Sequence, residues 1–194
     1  MKYMTTMARV GLGVASGALA ATALAGQASA AEPSDEASGE RSSLSATERA
    51  ELDSDVSETL QNTNGGKRIS PNQIAWKGGD VVMTFPLPGE KRARTLDEPI
   101  GTQGAGCEHG EVCLYEDAGW KGRQLTFYKC EFEKLRWYNF TNQTSSWIND
   151  QTKGTRSTLY YWDGKKVRHM TSLVAKSWES QVDDNDRADF VRVC

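Results

Sequence analysis

The chain has 194 residues, a formal net charge of −3 and four cysteines. This length accommodates one domain with a smaller additional segment, and the lack of a cationic excess argues against a general nucleic-acid-binding protein. A zinc site is not expected either, because there is no Cys-x-x-Cys pair and the two histidines, His109 and His169, lack the spacing of a ligand pair.

The first thirty residues have the pattern of a signal peptide. Lys2 and Arg9 are followed by an uncharged apolar run over residues 10–24, and a small-residue cleavage pattern ends at Ala30. The apolar run is shorter than the roughly 20 residues that a membrane-spanning helix needs. We therefore expect a secreted, extracellular protein that has no membrane segment after cleavage.

Residues 31–44 are rich in Glu, Ser, Asp and Gly and carry almost no large apolar side chain, which predicts a disordered spacer. A helix over about 46–61 is predicted next, because Ser45 and Glu48 have the spacing of a capping box. One face of this helix is apolar, with Leu52, Val56 and Leu60.

Two short β-prone runs, 74–76 and 81–85, flank the pair Gly78-Gly79 and predict a β-hairpin. The helix and hairpin together form an N-terminal extension over 45–88. So small a unit is marginal alone, so the extension either docks onto the following domain or acts as a prosegment.

Residues 89–106 are rich in Pro, Gly and charge and predict a linker. Its centre is the basic run 91–94, Lys-Arg-Ala-Arg. A solvated hinge is the favoured interpretation, and a processing site for an extracellular protease is the alternative.

Residues 107–194 contain recurring β-prone stretches separated by Gly-rich turns, and no segment keeps a helical period. This pattern predicts a small all-β sandwich or barrel. The stretches lie at 112–115, 124–128, 157–161 and 190–193. The tryptophans of this part are expected to fill the core rather than to form a carbohydrate- or protein-binding face.

The four cysteines predict two disulfides in an exported protein, and three connectivities are possible. Cys107 and Cys113 lie close together with Gly110 between them, so their pairing is the simplest. Cys130 then pairs with Cys194 and ties the C-terminus to the body of the domain.

The sharpest motif runs from Tyr115 to Trp120 and Gly122, an aromatic-x4-aromatic-x-Gly spacing that lets two rings pack at a folded hairpin. Ser145 lies in a later Ser-containing run that can bond across to this hairpin. The arrangement resembles the βγ-crystallin Greek-key motif, and the opening 107–115 resembles secreted actinobacterial proteins of peptidase inhibitor family I36.

The resemblance covers roughly residues 65–194 and implies a βγ-crystallin-like Greek-key sandwich preceded by the helix-hairpin extension. The second half, beginning at 159–164, lacks the aromatic spacing, so the second Greek key is expected to be irregular.

Microbial βγ-crystallins bind calcium through paired Asn/Asp residues followed by Ser or Thr, a set of oxygen ligands suited to this ion. The run 141–146 is one candidate, weakened because Thr141 replaces the first acidic or amide ligand. The favoured candidate is Asn185, Asp186 and Asp189. The alternative is that these are turn residues that bond their own backbone.

No catalytic residue is assigned, because the chain lacks a nucleophile motif and its cysteines are expected to be oxidised. The family resemblance implies instead an inhibitor of an extracellular peptidase, of the metalloendopeptidase type, acting as a monomer without a required cofactor. The loop 107–113 and the turn 152–156 are candidates for the inhibitory segment, which the sequence does not assign. The alternatives are a calcium-binding structural or stress protein of crystallin type and a small killer-toxin-like protein.

Overall fold

The computed structural model describes residues 44–98 and 106–194. The predicted signal peptide, residues 31–43 of the predicted spacer and residues 99–105 of the predicted linker lie outside this part. The elements are α1 (Ala46–Gln61), β1 (Lys67–Ser70), β2 (Gln73–Trp76), β3 (Val81–Thr84), β4 (Val112–Asp117), β5 (Lys121–Phe127), β6 (Phe132–Lys134), β7 (Ser146–Asn149), β8 (Arg156–Trp162), β9 (Val167–Val174), β10 (Ser177–Glu179) and β11 (Phe190–Arg192). In the described ranges, no helix is long and apolar enough to cross a membrane.

The strands form two antiparallel sheets, which confirms the predicted all-β class with one preceding helix. The larger sheet has the order β1-β2-β3-β5-β4-β7-β10, and the smaller has the order β6-β11-β8-β9. The core lies where apolar side chains of both sheets meet, among them Leu114, Leu125 and Leu159, all fully buried.

The domain after the linker is built from two four-strand units, β4–β7 and β8–β11. In each unit the fourth strand returns to lie beside the first, as in a Greek key. The third strand of each unit, β6 or β10, joins the sheet of the other unit. This exchange binds the two units into one sandwich, and the second unit is complete although it lacks the aromatic spacing of the first. The specific likeness to βγ-crystallins stays a prediction.

Helix α1 begins as its sequence predicts. The Ser45 hydroxyl oxygen accepts the Glu48 amide at 3.3 Å, and a Glu48 carboxylate oxygen accepts the Ser45 amide at 2.8 Å. Leu52 and Val56 are buried in the same apolar cluster as the sheet residues. Their burial fixes the helix against the sandwich, because a single amphipathic helix draws most of its stability from tertiary packing.

The N-terminal hairpin is continuous with the larger sheet. Strands β2 and β3 pair around Gly78-Gly79, and β3 then pairs with β5 from Val81 beside Phe127 to Thr84 beside Gln124. Residues 67–70 add a third strand, β1, on the outer edge. The extension therefore supplies three of the seven strands of this sheet.

The segment after β3 differs from the solvated hinge that its composition predicts. Leu87 and Ala93 are buried, and Ala93 forms a β-bridge with Pro86. The Arg94 guanidinium donates to both carboxylate oxygens of Glu90, at 2.7 to 3.0 Å. The segment that contains the basic run 91–94 is thus packed against the domain, because Leu87 and Ala93 take core positions that composition does not reveal.

The tryptophans also differ from the prediction that they fill the core. Trp147 is buried, but Trp137, Trp162 and Trp178 are 40%, 51% and 65% exposed. The most deeply buried rings of this part are instead tyrosines and phenylalanines, including Tyr138, which packs edge-on against Trp76 of the extension.

Candidate functional site

Both disulfides of the chain have the predicted pairing. Cys107 is bonded to Cys113 across a sequence separation of 6, and Cys130 is bonded to Cys194 across a separation of 64. The first closes a short loop immediately before β4, and the second joins the chain end to the turn before β6. No cysteine of the described residues is free.

The short disulfide loop is held by hydrogen bonds as well as by its covalent bond. The Glu111 amide donates to the Glu108 carbonyl at 3.2 Å, and the Glu108 amide donates to a Glu111 carboxylate oxygen at 2.7 Å. Gly110 has a φ of 100°, a conformation that other residues rarely adopt. Glu108 and His109 project into solvent from a loop with little freedom left.

A second loop, after β7, is bonded directly to the first. The Gly110 amide donates to the Asp150 carbonyl at 3.0 Å, and the Asp150 amide donates to the Glu111 carbonyl at 2.9 Å. The Lys176 ammonium donates to an Asp150 carboxylate oxygen at 2.7 Å and to His109 Nδ1 at 2.8 Å. Three segments distant in sequence therefore share one polar network.

The same end of the sandwich holds the turn 152–156 and the C-terminus. The Thr155 amide donates to the Thr152 carbonyl at 3.1 Å, and Lys153 and Gly154 are exposed at the tip. Ser157 Oγ accepts the Cys194 amide at 3.2 Å. We call this end, formed by 107–111, 150–156 and 174–177, the disulfide end.

The electrostatics of the disulfide end centre on Glu111. Burial raises the pKa of Glu111, and the charges of Glu108 and Asp150 raise it further, while the hydrogen bond from the Glu108 amide opposes this rise. Burial, followed by the charge of Glu111, raises the pKa of the neighbouring Tyr128 to about 12. The loop is thus closed around a carboxyl group that is held in a poorly solvated position.

The Greek-key signature is assembled at the opposite end of β4. Tyr115 is fully buried, and Gly122 has a φ of 71° and lies so close to Glu116 that a Cβ there would be 2.8 Å from the Glu116 Cβ. Trp120 also takes a left-handed conformation, with a φ of 59°. These residues form the folded hairpin between β4 and β5.

The serine that crosses to this hairpin is Ser146, which corrects the assignment of Ser145. Ser146 Oγ accepts the Trp120 amide at 3.0 Å and donates to the Asp117 carbonyl at 2.7 Å. The Ser145 hydroxyl instead donates to Asp186 at 3.1 Å. Ser146 is the first residue of β7 and Ser145 immediately precedes it. The side chains of the two neighbouring serines reach different partners, and the sequence alone does not say which one faces the hairpin.

Each residue of the favoured calcium motif forms a side-chain hydrogen bond within the folded domain. Asp186 accepts from Ser145, and an Asp189 carboxylate oxygen accepts the Trp162 amide at 2.7 Å. The Asn185 amide group donates to Asp186 at 3.2 Å. Among the His, Cys, Asp and Glu side chains of the described residues, only those of Cys107, Glu111 and Cys113 bring three possible metal ligands together, and both sulfurs belong to a disulfide.

Asp150 and Lys176 complete the polar network and have no sequence signal of their own. Each is a single charged residue in a turn, and only the pairing of β7 with β4 and β10 brings them to the disulfide loop. They are the residues of this end that sequence reasoning missed.

Comparisons with known proteins bear on residues 102–172, a range that contains the disulfide loop and the turn 152–156. Searches of curated proteins and of solved structures found no significant match. The family model described as Peptidase inhibitor family I36 matches residues 102–172, which supports the resemblance that the motifs around Cys107 and Tyr115 indicated.

Proposed function

We propose that this protein is a secreted inhibitor of an extracellular metalloendopeptidase and that the disulfide end is its protease-binding surface. The observation that carries the proposal is the match to peptidase inhibitor family I36 over residues 102–172. This range includes both exposed loops of the disulfide end. Two disulfides favour an extracellular protein, since they persist in oxidising compartments.

The physical basis of the proposal is the preorganisation of the two loops. A loop that is already ordered loses little conformational entropy on binding, so more of its contact energy appears as affinity. The disulfide, the Glu108–Glu111 hydrogen bonds and the link to Asp150 order the first loop. The turn 152–156 is ordered by its own hydrogen bond and by the bond from the Ala175 amide to the Thr155 carbonyl, at 3.1 Å.

In this proposal the tip of the disulfide end enters the protease cleft and blocks the entry of substrate. Glu108, His109 and Lys153 are exposed there and supply polar contacts of both charges. Inhibition by occupancy needs no reacting group on the inhibitor.

The experiment compares a thermolysin-type metalloendopeptidase with a subtilisin-type serine peptidase, each incubated with the purified chain and a peptide substrate. The expected result is inhibition of the metalloendopeptidase. Replacing both Glu108 and His109 by alanine, or Lys153 by alanine, should weaken inhibition. Lys165→Ala is the matched control, because Lys165 lies in the β8–β9 turn at the other end of the sandwich.

Loss of inhibition in the disulfide-end variants with full inhibition in the control supports the proposed surface. No inhibition of either peptidase at micromolar protein would remove the proposed function. An equal loss of inhibition in Lys165→Ala and Lys153→Ala would contradict the proposed binding surface but not the proposed inhibitory function.

A further inference from the structure

The outward face of the smaller sheet carries a row of aromatic rings. The pairing places Phe190 of β11 between Lys134 of β6 and Tyr160 of β8, and Tyr160 beside His169 of β9. Neighbouring ring centroids are 5.6 Å apart for Phe132 and Phe190 and 6.3 Å apart for Tyr160 and His169. These side chains point away from the core, because the alternate row, with Leu159 and Val191, is fully buried.

Three cations lie on this face. Lys134, Arg192 and Arg156 lie on it by strand alternation, and the Arg192 guanidinium lies 5.4 Å from the Phe132 ring centroid. None of these three cations forms an ion pair with a described residue. A cationic, aromatic surface on a chain of net charge −3 indicates a specific anionic partner rather than general attraction of anions.

A cavity of about 350 Å³ opens at one edge of this face. Its walls are formed by Lys134, Arg136, Thr141, Trp162, Asp189 and Phe190. Trp162 is 51% exposed, and its backbone is fixed by the bond from its amide to Asp189. The Thr141 hydroxyl oxygen is buried and has no hydrogen-bond partner among the described residues.

We infer that this cavity and the adjoining aromatic face bind an acidic polysaccharide. The apolar C–H groups of a sugar ring pack against the electron-rich face of an aromatic ring, here Trp162. Lys134 and Arg136 pair with the carboxylate of a uronic acid unit, since guanidinium and carboxylate form strong charge-assisted hydrogen bonds. The unpartnered Thr141 hydroxyl is shielded from water in the free protein, so it bonds a sugar hydroxyl only after a side chain of the cavity wall moves aside.

The composition of the cavity favours a sugar over a nucleic acid. Asp189 lies in its wall, and a carboxylate accepts hydrogen bonds from the hydroxyl groups of a sugar ring, whereas the phosphodiester groups of a nucleic acid backbone have no hydrogen to donate. Trp162 and Arg156 are the two ends of β8, about 20 Å apart at the rise of a strand. Because Arg156 is the last residue of the turn 152–156, the cavity lies far from the disulfide end, and this inference does not depend on the proposed inhibitory function.

Binding of the intact purified chain to polygalacturonate, measured by isothermal titration calorimetry, tests the inference. Uncharged dextran and a thymidine oligonucleotide are the comparison ligands. We expect binding to polygalacturonate alone, weakening as salt is added. Trp162→Ala and Arg136→Gln should each weaken binding by about tenfold or more. Trp178→Ala, on the other sheet and 65% exposed, is the matched control and should bind like the parent protein.

Thr141→Val separates a binding role from a structural one. It removes the unpartnered hydroxyl and keeps the shape, so it should raise the melting temperature of the free protein while weakening polysaccharide binding. No binding to polygalacturonate, equal binding to dextran, tighter binding to the oligonucleotide, or an equal loss in Trp178→Ala would each overturn the inference. Unchanged binding in Thr141→Val would overturn the role given to that hydroxyl.

Discussion

At the scale of single residues, the folded hairpin depends on one hydroxyl group. Ser146 is completely buried and bonds both the Trp120 amide and the Asp117 carbonyl. A hydroxyl group that satisfies two backbone groups at once is costly to remove, because both lose a partner in a poorly hydrated place. The same logic gives Ser145 a smaller role, since its partner Asp186 is exposed to solvent.

Replacing Ser146 by alanine should therefore lower the free energy of unfolding by about 2 kcal/mol. Ser145→Ala should cost about 1 kcal/mol or less, because water replaces its bond to Asp186. Urea unfolding of both variants gives the comparison. A larger loss in Ser145→Ala would contradict the assignment of Ser146 as the bridging residue.

Gly122 combines a left-handed backbone with a close contact. Gly122→Ala should lower the free energy of unfolding by about 3 kcal/mol, because both the left-handed strain and the clash with the Glu116 Cβ contribute. Gly164 also has a positive φ, of 90°, but nothing lies within 4 Å of its added Cβ. Gly164→Ala should thus lower the free energy of unfolding by only about 1 kcal/mol. Thermal unfolding of the two variants gives the comparison, and an equal loss of stability in both would show that the contact between the Gly122→Ala side chain and Glu116 is relieved without cost.

Glu111, in the disulfide loop, makes the stability of the folded protein depend on pH. Burial is the main reason that its pKa is raised above 4.5 in the folded protein, so the folded state keeps this proton to higher pH than the unfolded state. The stabilisation of the folded state by the protonated Glu111 is complete below the pKa that Glu111 has in the unfolded chain. It is lost as pH rises through the pKa that Glu111 has in the folded protein. Glu111→Gln keeps an oxygen acceptor for the Glu108 amide and removes the titration.

The melting temperature of Glu111→Gln relative to the parent protein should consequently rise between pH 3 and pH 7. Measuring both proteins at each pH cancels the groups that they share. A relative fall over this range would mean that the Glu111 carboxylate is stabilised by folding.

At the scale of elements, the N-terminal extension is joined to the Greek-key domain by an ion pair as well as by strand pairing. Lys77, in the turn between β2 and β3, donates to Glu133 of β6 at 2.5 Å and to Glu131 at 2.7 Å. The buried Glu133 also accepts the Tyr138 hydroxyl at 2.7 Å. This network links the larger sheet to the smaller one.

Lys77→Met should lower the free energy of unfolding by about 2 kcal/mol, because Glu133 is left as a buried charge with only a neutral partner. Lys129→Met is the control, since the Lys129–Asp80 pair lies at the surface and should contribute less than about 1 kcal/mol. Denaturant unfolding distinguishes the two, and an equal effect would show that the Lys77 network is no more important than a surface pair.

The helices and strands also show which parts of the fold could be predicted from the sequence. Helix α1 and the hairpin around Gly78-Gly79 were predictable, because a capping box and a Gly-Gly turn are local signals. The pairing of β3 with β5 was not, since it joins residues 40 to 46 positions apart and leaves no local pattern. The packing of Leu87 and Ala93 was missed for the same reason. Among site residues, the cysteine pairs followed from spacing, whereas Asp150 and Lys176 depend on strand pairing.

At the scale of the whole molecule, the sandwich separates two surfaces along β8. The disulfide end holds ordered loops that lie within the match to peptidase inhibitor family I36. The opposite end holds the aromatic and cationic cavity beside Trp162. Because a rigid two-sheet domain keeps these surfaces apart, we expect that a substitution at one surface leaves binding at the other unchanged.

Hydrogen exchange of the chain alone and in complex with an inhibited metalloendopeptidase tests most directly that the disulfide end contacts the protease. We predict slower exchange at the amides of His109, Lys153 and Gly154 in the complex, with unchanged exchange in the β8–β9 turn at Gly164. Protection confined to helix α1 or to that turn, with no change at the disulfide end, would contradict the account.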